Sequence, residues 1–135
     1  MADVLERMKR YDLHEEDLAR MLSAGRIAIG ALLMLSPAKV MKVWTGDAPT
    51  PGLKHAARSL GARDIAIGTG TLVALERGKD VGRWLQAQAI SDASDALGTV
   101  IAFKHMPRLG RWATLALEAG AAYLGLELAA AFEDD

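Results

Sequence analysis

The chain of 135 residues has room for one domain and for no second independent core. Sixteen basic residues against 17 acidic ones leave a net charge of −1, so no overall basic field recruits nucleic acid. With no cysteine, disulfides, thiolate metal sites and cysteine nucleophiles are excluded, and the charged opening MADVLERMKR lacks the apolar run of a secretory signal peptide.

Residues 1–21 read as a polar amphipathic segment, with a short helix beginning near Leu13 behind a capping box in which Glu15 reaches back to the Asp12 amide. Four apolar stretches follow, at 22–38, 59–76, 84–103 and 112–132. Together these 76 residues hold eight charges while the other 59 hold 25, so charge is concentrated in the connections. Ala and Leu dominate the stretches and β-branched residues are sparse, which favours helices. Ser36-Pro37 ends or kinks the first helix, because proline disfavours an α conformation in its predecessor. PAKVMKVWTG then forms a short amphipathic piece closed at Gly46. Thr50 and Pro51 supply the N-cap and first position of the second long helix, and Gly78 stops it. Pro107 and Gly110 separate the third from the fourth, and residues 133–135 form an acidic tail. The expected fold is all-α, an up-down-up-down four-helix bundle over residues 22–132 with the amphipathic helix in front of it.

Whether that bundle sits in lipid or in water turns on its surface. The third and fourth stretches are long enough to span about 30 Å of hydrocarbon. Trp44, Trp84 and Trp112 lie at stretch ends, where an interfacial aromatic belt would place them. A soluble helix shows about half its surface to water, dressed in charge. WATLALEAGAAYLGLELAAAF offers only Glu118 and Glu127 for that purpose, and their spacing puts them on opposite faces. The expectation is therefore a multi-pass protein of the cytoplasmic membrane with the lipid bilayer as its first partner. The alternative is a soluble four-helix bundle, because the longest uncharged run, IAIGALLMLSPA, has only twelve residues. Lys and Arg divide seven to seven between the two ends, which leaves orientation open.

The charges inside the stretches are the candidate site. Gln88, Asp92, Asp95 and Thr99 are spaced +4, +3, +4 and share one helix face. Carboxylates at membrane depth point into the bundle towards partners, whereas in a soluble bundle the same stripe would be the wet face. Alternating helix directions put Arg63 at the level of Asp95 and Glu118, and Arg26 closer to Asp92 and Glu127. Gly61, Asp64, Gly68 and Thr71 follow one face, as close small-residue packing requires. Arg26, Arg63, Asp64, Gln88, Asp92, Asp95 and Glu118 thus make the expected polar core and candidate ligand site. Two arginines face five carboxylates once Glu127 is counted, so the excess must be protonated, hydrated, or matched by a cation or basic ligand.

There is no phosphate-cradling GxxxxGK[ST] loop, no HExxH and no G-x-S-x-G. Asp92-x-x-Asp95 lacks the further acidic residues of diphosphate-binding metal sites, so no metal is assigned, and no cofactor is named by any motif. The early arginine of the first helix, GARD followed by apolar residues and glycine, Trp84 and SDASDALG together resemble a family of small four-helix bacterial membrane proteins with no assigned function. The resemblance covers roughly residues 20 to 130. It implies a fold and a membrane location, and no activity. Three functions remain from the residues: an accessory or structural subunit of a membrane assembly, with other membrane subunits or self-association as partners; a binding module for a lipid, quinone or small amphiphile; or a small intramembrane acid/base enzyme using Asp92 or Asp95.

Overall fold

The computed structural model describes residues 14–133, and among these the chain is all-helical, with five helices and no strand. Helix α1 spans Glu15–Leu35. Its N-cap is His14, whose side chain makes no capping bond; Glu15, Glu16 and Asp17 instead set negative charge against the free amides of the first turn. The expected capping residue Asp12 and the start at Leu13 lie outside the described residues. The described part of the polar segment is not an element of its own, because α1 runs unbroken through residues 21 and 22. Both sides of that boundary are good helix formers, with no proline or glycine to stop the turn.

Leu35 ends α1 where expected: the Ser36 amide donates to Leu32 O, and Pro37 opens α2, Pro37–Thr45. Gly46 closes α2 at φ 78°, a left-handed conformation that glycine adopts without strain. Helix α3, Pro51–Arg77, begins with the Leu53 amide donating to Thr50 Oγ1 at 3.1 Å. It ends at Gly78, φ 60°, with the Lys79 amide bonded to Ala74 O at 3.2 Å. Helix α4 is Val81–Ala102, followed by a single 3-10 turn, Phe103–His105. Pro107 alone marks the break before α5, Arg108–Glu133; Gly110 lies inside α5, and Glu133 is its last residue rather than part of a tail.

Buried positions recur at heptad spacing. On α1 they are Ala19, Ser23, Arg26, Gly30 and Leu33; on α3 they are Ala57, Gly61, Asp64, Gly68, Thr71 and Leu75, with Ala74 buried beside the last. These two faces meet antiparallel and very closely. A Cβ added to Gly30 would lie 2.7 Å from Gly61 O, and one added to Gly68 would lie 2.8 Å from Ser23 O. Helices α4 and α5 pair in the same way, with Gly125 against Ala89 and Gly82 against Ala129. Small residues hold each pair together, but α3 and α4, though consecutive, approach much less closely. Midway along the bundle, what joins pair to pair is a layer of polar side chains.

That layer lies between two apolar clusters. One, at the α3–α4 turn, gathers Ala19, Ala74, Leu75, Val81, Leu85, Leu128 and Ala129. The other, under α2, gathers Leu33, Met41 and Ala57, with Trp44 packed against it rather than facing outward.

Candidate functional site

Arg26 and Arg63 organise the interior. Arg26 is buried; its Nη1 donates to Asp64 Oδ1 at 2.9 Å and to Ser91 Oγ at 3.4 Å. Its Nη2 donates to Asp92 Oδ1 and to Gln88 O. Arg63 grips Asp95 through both oxygens, at 2.9 and 2.5 Å, and reaches Asp64 Oδ1 through Nε and Nη2 at 3.3 and 3.1 Å. The result is an alternating row, Asp92–Arg26–Asp64–Arg63–Asp95, that starts and ends on α4 and crosses α1 and α3. The fork of each guanidinium suits this, because it presents donors to two carboxylates at once. Beside the row, Gln88 Nε2 donates to Ser23 Oγ at 2.8 Å and to Thr71 Oγ1 at 2.7 Å, again tying α4 to the α1–α3 pair.

The expected pairings Arg63–Asp95 and Arg26–Asp92 are present, and Asp64 serves both arginines. Two expectations are corrected. Glu118 does not pair with Arg63; it accepts from the Thr99 hydroxyl at 2.7 Å, across the α4–α5 seam. Glu127 is buried on α5 and pairs with neither arginine. Ser23, Thr71 and Ser91 are the partners that charge counting overlooks. The signal for Ser23 and Thr71 is their heptad register with Arg26 and Asp64.

Three buried atoms of the cluster have no partner among the described residues: Arg26 Nε, Gln88 Oε1 and Asp92 Oδ2. Beside them opens a cleft of about 780 Å³ between α1 and α5, with Lys39, Val40, Val43 and Trp44 of α2 at one end. Ile29, Leu33, Leu60, Ala113, Leu117 and Ala121 supply apolar walls. Arg26, Arg63, Asp64, Asp92, Asp95 and Glu118, with Lys39 at the α2 end, supply the charged lining, so six of the seven expected site residues border one space. Gln88 lies behind them, fully buried. Among the described residues, no group of three or more His, Asp or Glu side chains is arranged to hold a metal ion.

Outside, the polarity is reversed. Over residues 21–35, 59–75, 84–102 and 112–132 no exposed residue is charged, while Arg26, Arg63, Asp64, Asp92, Asp95, Glu118 and Glu127 all face inward. At 1.5 Å per residue these bands are about 22 to 31 Å long. Exposed charges sit beyond them, at the ends of the helices. Two helices, Glu15–Leu35 and Arg108–Glu133, are long and apolar enough to cross a membrane, and only 28% and 33% of their apolar windows are buried within the protein. By length the sequence singles out the third and fourth stretches; α5 meets that expectation, α4 does not, and α1 passes in its place. Helices α3 and α4 fall short through polar residues such as Asp64, Thr71, Gln88 and Asp92, which are the ones turned inward.

Comparison of the chain with protein-family profiles, with curated proteins and with solved structures finds no match.

Proposed function

We propose that this protein is a small membrane-embedded binding module, an up-down-up-down four-helix bundle whose cleft takes a small amphiphile from the bilayer. The membrane location is supported by the reversed polarity. Seven ionisable side chains face inward, and large apolar residues such as Ile90 (69% exposed), Leu97 (61%) and Ile101 (77%) face out. A protein in water gains nothing from that arrangement, whereas hydrocarbon demands it. The bands match the thickness of a bilayer core, about 30 Å.

The cleft carries the functional reading. An accessory subunit is the natural assignment when the special residues satisfy one another completely. Here a cleft reaches Arg26 and Asp92, and behind its floor Asp92 Oδ2, Gln88 Oε1 and Arg26 Nε are enclosed without a partner among the described residues. Apolar walls above a few convergent polar groups are the usual make-up of a small-molecule site. The acid/base reading finds less support, because Asp95 is held through both oxygens by Arg63 and no histidine lines the cleft.

Native mass spectrometry in a mild detergent tests the proposal. The protein is expected to retain a small amphiphile, and Ala121→Trp, which fills the cleft wall, is expected to release it with the helical signal intact. Ligand-free protein, or retention unchanged by Ala121→Trp, would reject a binding role for this cleft.

A further inference from the structure

The two ends of the bundle dispose of their charges in different ways. We infer that the α2 end is a docking surface for the anionic head groups of phospholipids, an inference that rests on the membrane location proposed above and not on the cleft.

At that end α2 carries Lys39 and Lys42, and α3 carries Lys54 and Arg58. The 3-10 turn adds Lys104, and α5 opens with Arg108 and Arg111. Asp47 is the single acidic residue over 36–58 and 103–111, so the surface holds seven cations against one anion. None of the seven forms an ion pair among the described residues. Only Arg111 is engaged, donating to Phe103 O at 3.2 Å and stacking over the Phe103 ring. Lys39, Lys42, Arg58, Lys104 and Arg108 are exposed.

The opposite end is compensated from within. Among the described residues it holds Arg20, Arg77, Lys79 and Arg83 against six acids. Arg20 is held by Glu16 at 2.8 Å and by Glu76 at 2.7 Å, and Arg83 lies 3.5 Å from Asp80. Lys and Arg alone do not separate the ends, which divide them seven to seven in the sequence; the acids do.

Unpaired like charges gathered on one surface attract an anionic partner. The apolar side chains among them say which kind. Val43 is 81% exposed and Leu109 86% exposed at this end, and Trp112 opens the apolar band next to it. A leaflet offers phosphates to the cations and acyl carbons to these side chains at neighbouring depths, and tryptophan settles at that boundary. A soluble polyanion would leave Val43 and Leu109 uncovered.

Native mass spectrometry of the detergent-solubilised protein, titrated with dioleoylphosphatidylglycerol or dioleoylphosphatidylcholine, tests the surface. Insertion is measured separately, as resistance to alkaline extraction after reconstitution into vesicles of each lipid. The anionic lipid is expected to bind at a concentration roughly ten-fold or more below the neutral one, an advantage that shrinks as salt rises. Two charge-matched triples separate the ends: Lys42→Gln, Lys104→Gln and Arg108→Gln at the α2 end, and Arg77→Gln, Lys79→Gln and Arg83→Gln at the other. A basic residue at an anionic surface contributes about five-fold, so the first triple is expected to cut the preference about ten-fold or more and the second less than about two-fold. If the first triple does not fold, Lys42→Gln and Arg108→Gln carry the test singly, each with a loss of about two- to five-fold. No preference for the anionic lipid in protein that inserts, or equal losses from the two ends, would overturn the inference and leave the membrane location standing. Protein extracted from both kinds of vesicle would overturn the membrane location and the inference with it.

Discussion

Replacing Arg26 by alanine isolates the energetic claim on which the interior rests. The substitution leaves Asp64 with Arg63 but leaves Asp92 with no cation, its carboxylate still buried beside Ser91. Breaking a buried pair from one side costs about 3–5 kcal/mol in soluble proteins. Polar pairs between membrane helices average nearer 0.6 kcal/mol, up to about 1.7 kcal/mol, because the unfolded chain in lipid also finds partners. Arg26 makes four such contacts at once, so a loss of about 2–3 kcal/mol is expected, a fall in Tm of about 8–12 °C for a chain this size. Arg63→Ala should cost less, about 1–2 kcal/mol, since its side chain is 32% exposed and that of Asp95 is 21% exposed, and solvent replaces part of what is lost. Removing the orphan as well, in Arg26→Ala with Asp92→Asn, should restore about 1 kcal/mol or more relative to Arg26→Ala alone. Exposed Arg108→Ala should be silent. Thermal unfolding in mild detergent, followed by the helical circular dichroism signal, reads all four. Equal Tm values for Arg26→Ala and Arg108→Ala, or a double variant no better than the single, would refute the ion-pair row as a structural element.

The seams between helices make separate predictions in the same assay. Gly30→Val drives side-chain atoms into the Gly61 backbone and should lower stability by about 2 kcal/mol or more, whereas Gly120, with nothing within 4 Å of an added Cβ, should accept alanine with a neutral or slightly higher Tm. Thr50→Ala frees the Leu53 amide at the start of α3 and should cost about 1 kcal/mol, with Thr50→Ser close to wild type. Gln88→Leu strips Ser23 and Thr71 of their shared donor between the helix pairs and should cost about 1–3 kcal/mol, with Gln88→Glu no rescue because a carboxylate donates nothing.

Helix boundaries were legible because they are written in local chemistry: Ser36-Pro37, Gly46, Thr50-Pro51 and Gly78 each act within a few residues of themselves. The start of α1 was not, since a run of good helix formers carries no internal mark of where solvent ends and packing begins. The pairings Arg26–Asp92 and Arg63–Asp95 followed from depth alone, because antiparallel helices of known rise put those residues at matching heights. Glu118 misled for the same reason. Depth places it beside Arg63, but rotation about α5 turns it to Thr99, and rotation depends on which faces meet. The division into two tightly packed pairs rests on Gly30, Gly61, Gly68 and Gly125 choosing their partners, a long-range fact that no single stretch contains. The cleft belongs to the same category, being the space left where α1 and α5 fail to close.

Because the chain has no cysteine, single cysteines report directly on what surrounds each position. Ala28, Ala66, Ile90 and Tyr123 are exposed mid-band positions, one on each long helix, while Lys42 and Lys79 are exposed beyond the bands at opposite ends. Each is replaced by cysteine in native membrane vesicles and treated with a charged, water-soluble maleimide, with detergent-permeabilised and SDS-denatured samples alongside. A membrane-embedded bundle with its charges turned inward predicts no labelling at the four mid-band positions until SDS is added, and labelling at Lys42→Cys and Lys79→Cys on one side before permeabilisation and on both after. Mid-band cysteines that label as fast as those at the ends, or protein that leaves the vesicles for the soluble fraction, would contradict it.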